Sequence, residues 1–280
     1  MLARLKTAPT LRGPNVATRW RAPIRLGLSV FGLAMLATFY ASGGPGYDFM
    51  AYWAVDPSAP YATAIGLGAF HYPPPFVYVA APLSLLPFDI AYVVWTILMV
   101  GLLIWMTRSW ALAWCGFPPV ASELFHGNIH IAMAALIVVG LRYPPALAVV
   151  GLAKLTTGVA LLWPVFRREW RSFLEASATV VGIVVVSLIL QGSGVWAAWF
   201  DHLFVRAETT HIGGALIDIP LAVRLPVAVG LLAWGARTDR PWTLVVAVAL
   251  SMPLLWIHSL AVLVALPAVL RFRTSTADTT

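Results

Sequence analysis

Residues Ile24–Ala41 read IRLGLSVFGLAMLATFYA and contain a single charged side chain, Arg25. A helix of this length approaches the thickness of the hydrocarbon core of a bilayer, about 30 Å, at about 1.5 Å per residue. The basic segment before it gives the pattern of a secretory signal peptide, but no convincing small-residue cleavage site follows. We therefore predict that Ile24–Ala41 is an uncleaved first membrane span.

The composition of the whole chain extends this prediction. Of the 280 residues, 60% are hydrophobic and only 10% are charged, whereas soluble domains carry about 25% charged residues. Apolar runs recur along the whole chain, and only structures that satisfy their own backbone hydrogen bonds can cross lipid. We predict an all-α fold, a polytopic helical bundle embedded in the membrane bilayer.

The apolar runs, cut at Gly, Pro and charged residues, predict about ten crossings, within a range of about eight to eleven. The second, fourth and fifth are short and could be re-entrant. The ten crossings are Ile24–Ala41, Phe76–Leu86, Ile90–Thr107, Trp110–Phe125, Ile129–Leu141, Pro145–Phe166, Phe173–Leu190, Ile217–Ala236, Trp242–Ile257 and Leu260–Leu270.

Basic residues cluster between these runs and predict the orientation, because Lys and Arg favour cytoplasmic loops. We expect a cytoplasmic segment 1–23, a single transmembrane domain 24–271 with external loops near 42–75 and 192–216, and a cytoplasmic tail 272–280. No basic face interleaved with aromatic residues is present, which argues against nucleic-acid binding. The clusters contain Arg4, Lys6, Arg12, Arg19, Arg21 and Arg25, then Arg167, Arg168 and Arg171, then Arg237 and Arg240, then Arg271 and Arg273.

The first external loop places Asp48 next to several aromatic residues, including Tyr52. A carboxylate among rings at the lipid boundary is partly desolvated, which makes it a better general base. An ordinary acid in an interfacial aromatic belt gives the same pattern. Asp56 precedes Pro57 and is more typical of a turn residue.

The motif FHYPPPF stiffens the end of this loop. Three prolines fix φ and remove backbone donors, so the stretch must end a helix and direct the next one. It is either a rigid loop end or a rigid support that fixes His71 and Tyr72 at a cleft, and the two readings are compatible.

Three further polar residues lie in or beside predicted spans. Lys154 lies far from both ends of its span, where a cation is costly and marks a functional site or a structural pair. Arg224 either binds a phosphate together with Lys154 or extends its side chain towards the membrane surface. His258 follows MPLLWI at a predicted helix break, where it either satisfies a carbonyl or lines a site.

Two polar segments and the single cysteine remain. The segment ELFHGNIH holds Glu123, His126, Asn128 and His130, too few ligands to indicate more than a weak metal site. Cys115 is the only cysteine, which excludes an intramolecular disulfide and a thiol metal cluster. The second external loop contains Asp201, His202, Arg206, Glu208, His211 and Asp218.

Five fragments occur in an order that resembles the family-87 membrane glycosyltransferases, which have a GT-C fold. They resemble a DF-x-x-Y stretch, an aromatic-Tyr-Pro-Pro run, a Gly-Gln-x-Asn turn, a lysine-containing helix and a late Trp-x-His segment. Asn128 and His130 stand where the family has Gln and Asn. The fragments are GYDFMAYWA (Gly46–Ala54), FHYPPPFVYVAAPLSLLP (Phe70–Pro87), HGNIH (His126–His130), GLAKLTTGVALLWPVFRREWR (Gly151–Arg171) and MPLLWIHSLAVLVALP (Met252–Pro267).

This resemblance implies an inverting transfer of a sugar, mannose or arabinose, from a polyprenyl-phosphate donor to a lipid or glycan acceptor outside the membrane. By motif, Asp48 corresponds to the general base. Lys154 and His258 correspond to residues that hold the leaving phosphate, and Tyr72 would shape the sugar pocket. Side chains can stabilise a lipid monophosphate leaving group, so we expect no metal ion and no other cofactor, and the donor need not be a nucleotide sugar.

Two alternatives remain from the residues alone. A transporter or flippase would use Lys154, Arg224 and His258 to line a substrate path, which requires polar residues through the full depth of the membrane. The predicted inner half is poor in such residues. A non-catalytic scaffold requires no cleft at all.

Overall fold

The computed structural model describes residues 16–63, 66, 68–209 and 219–277. All regular elements in this part of the chain are helices, which confirms the predicted all-α class. Side chains are described for residues 20–204 of that range and again from 219 to 271. The predicted loop residues His211 and Asp218, and the side chains of Arg206 and Glu208, lie outside this description.

Fourteen α-helices form the described part, joined in places by 3₁₀ turns. Short 3₁₀ helices cover Pro74–Phe76, Ala81–Leu85, Arg108–Trp110, Leu155–Leu161 and Ile257–Ala265. The α-helices are α1 (Val16–Ala41), α2 (Phe49–Trp53), α3 (Val77–Ala80), α4 (Phe88–Thr107), α5 (Ala111–Trp114), α6 (Pro118–His126), α7 (His130–Gly140), α8 (Pro145–Ala153), α9 (Leu162–Phe166), α10 (Trp170–Gln191), α11 (Ser193–Thr209), α12 (Leu221–Arg237), α13 (Trp242–Leu250) and α14 (Leu266–Ala277).

Three helical stretches in the described residues are long and apolar enough to cross a membrane, namely Trp20–Ala41, Phe88–Trp114 and Trp170–Gln191. Helices α6 and α7 pass the same test as a pair bent by 112°, which gives four spans at most. The chain is thus a helical membrane protein. The predicted ten crossings are not confirmed, because the remaining apolar segments are shorter or interrupted.

The surface of these long helices is apolar, as lipid contact requires. Large hydrophobic side chains are exposed along α1, α4 and α10, for example Leu26, Ile97 and Ile189. Helices α7 and α13 and the 3₁₀ segment Ile257–Ala265 are instead mostly buried and form the centre of the bundle. The long helices therefore surround a packed core of shorter segments.

The sixth predicted crossing, Pro145–Phe166, is wrong as a continuous span. Helix α8 ends at Lys154, whose backbone is extended with φ −144° and ψ 116°. The chain then folds back on α8, so that the Thr157 hydroxyl donates to the carbonyl of Val150. The two arms approach most closely at Gly151, where an added Cβ would lie 3.1 Å from the Cα of Gly158.

Both ends of this hairpin lie together, with Lys154 at its tip. Pro144, before the first arm, and Pro164, near the end of the second, line one cavity of about 290 Å³ with Arg142 and Glu169. Hydropathy reads the run as one span because a single extended residue leaves the apolar pattern unbroken. The hairpin carries Lys154 into the bundle and returns to the end from which it started.

The basic loops meet at one end of the molecule. Arg167 Nη1 lies 2.8 Å from Asp239 Oδ1 and joins the loop before α10 to the loop after α12. At the other end of α10, Gln191 Nε2 donates to the carbonyl of Pro74 over 3.1 Å. Helix α10 has 22 residues and is therefore about 33 Å long. The proline-rich loop and the Arg167–Asp239 pair are separated by that length.

Candidate functional site

The loop after α1 is fixed to the end of α6 through its backbone. The N–H of Gly46 donates to the carbonyl of Phe125 over 2.8 Å, and the N–H of Asp48 donates to that of His126 over 3.0 Å. Asp48 stands immediately before α2. Two backbone hydrogen bonds therefore set the position of the carboxylate against the end of α6.

The turn after α6 depends on a glycine. Gly127 has φ +72°, the left-handed conformation that favours glycine at a helix C-terminus. An added Cβ there would lie 2.7 Å from Cβ of Phe49, the residue after Asp48. The missing side chain lets the turn approach α2 and brings Asn128 towards Asp48.

The Asp48 carboxylate has two polar neighbours on its Oδ2 atom. Asn128 Nδ2 donates to it over 2.9 Å, and His258 Nε2 lies 3.7 Å away. The Asp48 side chain is 24% exposed and that of His258 13% exposed. The acid is thus held by neighbours and is still accessible to another molecule.

Two tyrosines position Asn128 from the opposite side. The hydroxyls of Tyr52 and Tyr72 lie 2.7 Å apart, and they lie 3.3 Å and 3.2 Å from Asn128 Oδ1. The backbone N–H of Ile129 donates to the same oxygen over 2.7 Å. The amide oxygen of Asn128 is therefore an acceptor, which leaves its Nδ2 to donate to Asp48.

A second chain of contacts leads from Glu123 to Lys154. Glu123 accepts from the backbone N–H of His130 and from that of Ile131, the latter over 3.3 Å, and its Oε2 lies 2.9 Å from His130 Nδ1. His130 Nε2 lies 2.7 Å from Lys154 Nζ. Glu123 and His130 are fully buried, and a buried carboxylate requires such partners.

His258 joins the two chains. Its ring centroid lies 5.5 Å from that of His130 and 5.6 Å from that of His126, while Trp256 stacks nearly parallel on it at 6.4 Å. The residue lies just after the interruption between α13 and the segment Ile257–Ala265. We call Asp48, Tyr52, Tyr72, Glu123, Asn128, His130, Lys154 and His258 the polar cluster.

Of the predicted site residues, five belong to the polar cluster, and their roles remain predictions. Arg224 is placed differently. Its guanidinium donates to four backbone carbonyls, and the residue is 6% exposed. Three of these carbonyls belong to the interruption after α13, and the four acceptors are Ile219, Leu250, Met252 and Pro253.

His71 also contacts a partner away from Asp48. Its Nδ1 lies 2.7 Å from His202 Nε2, with the rings stacked at 5.0 Å. The triple proline therefore directs the two neighbours differently, since Tyr72 faces the polar cluster and His71 faces α11. Asp56 forms the predicted turn, and hydrogen bonds from Ser58 lower the pKa of its carboxyl.

Sequence reasoning did not assign the roles of Glu123, Asn128 and His130. The signal was present, because ELFHGNIH is a concentration of polar residues in an otherwise apolar chain. In the part of the chain that the structure describes, no group of three or more His, Cys, Asp or Glu side chains is arranged to hold a metal ion. Glu123 and His130 bind each other instead.

Fold and geometry thus define the class of protein: a helical membrane protein with a buried polar cluster around one accessible acid. The chain matches glycosyltransferase family 87 over residues 70–278, about three quarters of its length, and belongs to that family. No curated protein and no solved structure matches it. The match includes Tyr72, Asn128, Lys154 and His258 and begins after Asp48.

Proposed function

We propose that this glycosyltransferase moves a sugar, mannose or arabinose, from a polyprenyl-phosphate donor to a lipid or glycan acceptor on the outer face of the membrane, with inversion. The observation that carries the proposal is the position of Asp48. Its carboxylate is partly exposed and lies beside His258, with Lys154 held in the adjoining contacts.

The reaction is a single displacement. The acceptor hydroxyl gives its proton to Asp48 as its oxygen attacks the anomeric carbon from the face opposite the phosphate. The new carbon–oxygen bond forms while the bond to the phosphate oxygen breaks, and the lipid phosphate leaves with the bonding electrons. One displacement inverts the anomeric configuration.

The departing phosphate gains negative charge and needs donors or cations fixed in advance. His258 is adjacent to Asp48, and Lys154 reaches the same region through His130. An ammonium group in a largely buried site acts more strongly on a phosphate than it would in water. We assign both residues to the donor phosphate.

The arrangement of charges supports an external active site. The Arg167–Asp239 pair marks the end of the molecule where basic loops gather, and basic loops favour the cytoplasm. The Pro74 loop, next to Tyr72, lies at the opposite end of α10. A donor in the outer leaflet presents its reacting carbon at that end.

The test is a transfer assay with purified protein, radiolabelled polyprenyl-phosphate mannose or arabinose, and a membrane extract as the source of acceptors. The Asp48→Asn variant should lose about 10²–10⁴-fold in transfer, the contribution typical of a general base. Asp89→Asn replaces an exposed acid at the start of α4 and should retain full activity.

Near-normal transfer by the Asp48→Asn variant would overturn the assignment of the base. Label that crosses the membrane without entering an acceptor would favour a transporter or flippase instead. Both outcomes require that the variants unfold at the same temperature in detergent as the unsubstituted protein.

A further inference from the structure

Besides the cavity at Pro144 and Pro164, the structure has a second concave surface, next to Tyr72 of the polar cluster. It encloses about 590 Å³ between residues 58–62 of the first loop and one face of α11. Gly194, Ala198 and Asp201 line it from the helix, and Ser58 and Tyr61 line it from the loop. Positions 194, 198 and 201 share one helix face. The volume is typical of a site for a small molecule. We call this surface the outer cavity.

The outer cavity is connected to Asp48 by hydrogen bonds. The hydroxyl of Tyr61 donates to the carbonyl of Tyr72 over 2.9 Å, and the hydroxyl of Tyr72 donates to Asn128, which holds Asp48. The wall of the cavity and the acid are therefore joined through one residue of the proline-rich loop. A molecule in the cavity would contact Tyr61 and be linked to the acid through Tyr72 and Asn128.

The lining indicates the chemistry of the occupant. Tyr61 and His202 supply rings 5.5 Å apart, Ser58 supplies a hydroxyl and Asp201 a carboxylate. Among the described residues that line the cavity there is no Lys or Arg. Burial lowers the pKa of His202, which disfavours a positive charge on this ring. Among the described lining residues, a phosphate would therefore meet an acid and no Lys or Arg.

Rings beside hydrogen-bonding groups suit a neutral polyhydroxylated molecule, because sugar C–H groups pack on aromatic faces while hydroxyls bind carboxylates. We propose that the outer cavity binds a neutral saccharide unit of the acceptor, next to the unit whose hydroxyl Asp48 deprotonates. This inference depends on the proposed function. It assigns the acceptor to the cavity between the loop and α11, and the donor phosphate to the region of Lys154 and His258.

A labelling experiment tests binding without requiring transfer. Cys115 is the only cysteine and is buried, so a Cys115→Ala background allows one new thiol to be followed. Ala198→Cys places that thiol in the cavity lining, and Ala197→Cys places it on α11 outside the lining. Both positions are exposed, so both thiols should react with maleimide.

The probes are a mannose disaccharide, an arabinose disaccharide and inorganic phosphate. At about ten times its Kd, a bound disaccharide should slow labelling of Ala198→Cys about tenfold by mass action and leave Ala197→Cys unchanged. Phosphate should protect neither. Failure of both disaccharides to protect Ala198→Cys, or equal protection of both positions, would falsify the inference, as would protection by phosphate.

Repeating the labelling in the Asp48→Asn background separates the two proposals. If a disaccharide still protects Ala198→Cys while transfer is lost, the result supports both the proposed function and the acceptor site. Transfer that depends on Asp48 without protection at position 198 keeps the proposed function and rejects the acceptor site. In the transfer assay, Ala198→Trp should raise the acceptor KM and leave the donor KM unchanged, with Ala197→Trp as its matched control.

Discussion

Lys154 and Arg224 are both cations in apolar segments, and they differ in what their donors bind. Arg224 is fully engaged by four backbone carbonyls. Among the described residues, the Lys154 ammonium has one hydrogen-bond partner, His130 Nε2, and an ammonium has three donors. Arg224 thus supports the backbone, whereas two donors of the Lys154 ammonium have no hydrogen-bond partner among the described residues.

Each cation lies at an interruption of a helical segment: Lys154 stands at the end of α8, and Arg224, on α12, contacts the interruption after α13. The two interruptions are stabilised differently. After α13 the free carbonyls are satisfied by the guanidinium of Arg224. After α8 the hydroxyl of Thr157 serves the carbonyls of Val150 and Lys154. Helix ends inside a membrane must satisfy these groups. A neutral hydroxyl at the second interruption leaves the nearby cation available, and the following variants test that distinction.

The largest effect is expected for Arg224→Met. It leaves several buried carbonyls without a donor, at about 1–3 kcal/mol each, so we expect the free energy of unfolding to fall by about 3 kcal/mol or more. Thermal unfolding in detergent measures this. Arg237→Met replaces an exposed arginine on the same helix and should change stability by less than about 0.5 kcal/mol. A stable Arg224→Met protein that has lost only transfer would reverse the comparison.

Lys154→Met should instead spare the fold and reduce transfer. Removing one group that stabilises a developing oxyanion costs about 10²–10³-fold, and we expect about 100-fold here, mainly in use of the donor. Steady-state kinetics with varied donor concentration measure it. Leu155→Met, at the exposed neighbouring position, serves as control. An unchanged donor dependence in Lys154→Met would assign Lys154 a structural role.

Glu123→Gln should have a smaller effect, because it acts through His130. The carboxylate accepts from His130 Nδ1, so that Nε2 is the nitrogen that faces Lys154 as an acceptor. A glutamine amide donates to Nδ1 and moves the ring proton to Nε2, against the ammonium.

We expect this change to lower donor use by about tenfold, a typical loss for an indirect positioning partner. The effect should disappear in the Lys154→Met background. Glu175→Gln, at an acid of the Arg171 ion pair on α10, is the control. An additive loss in the double variant would show that Glu123 acts independently of Lys154.

The smallest effect is expected for Thr157→Val, which removes the hydroxyl that supports the hairpin. One hydrogen bond contributes about 1 kcal/mol, and transfer should remain measurable. The adjacent Thr156 offers a control of opposite sign, since its Oγ1 is buried without a hydrogen-bond partner in the described structure. Thr156→Val should therefore be neutral or stabilising, and chemical unfolding of the two variants compares them. A larger loss in Thr156→Val than in Thr157→Val would contradict this account of the hairpin.

The sequence predicted the helical membrane class, and five of its candidate site residues lie together in the polar cluster, because charged and aromatic residues are conspicuous in an apolar chain. It treated Lys154 and Arg224 alike, since hydropathy records the cost of a buried cation and not the partner that offsets it. The interruption at Lys154 escaped detection because its neighbours are as apolar as those of a continuous helix.

The contacts within the polar cluster were even harder to predict from the sequence. Asn128 and His130 are near in sequence to Glu123, yet their tyrosine and lysine partners come from segments tens of residues away. His71 and Tyr72 are adjacent in sequence and face different partners. Only the three-dimensional path of the proline-rich loop separates these two neighbours.

The left-handed turn at Gly127 carries a consequence for how this enzyme can vary. The position contributes no reactive group, yet any side chain there would collide with Phe49 and displace the acid next to it. A library of all substitutions at residue 127, selected for sugar transfer, should therefore return glycine alone, as strictly as a library at the acid itself. Selection for transfer should therefore constrain a position whose whole contribution is the absence of a side chain.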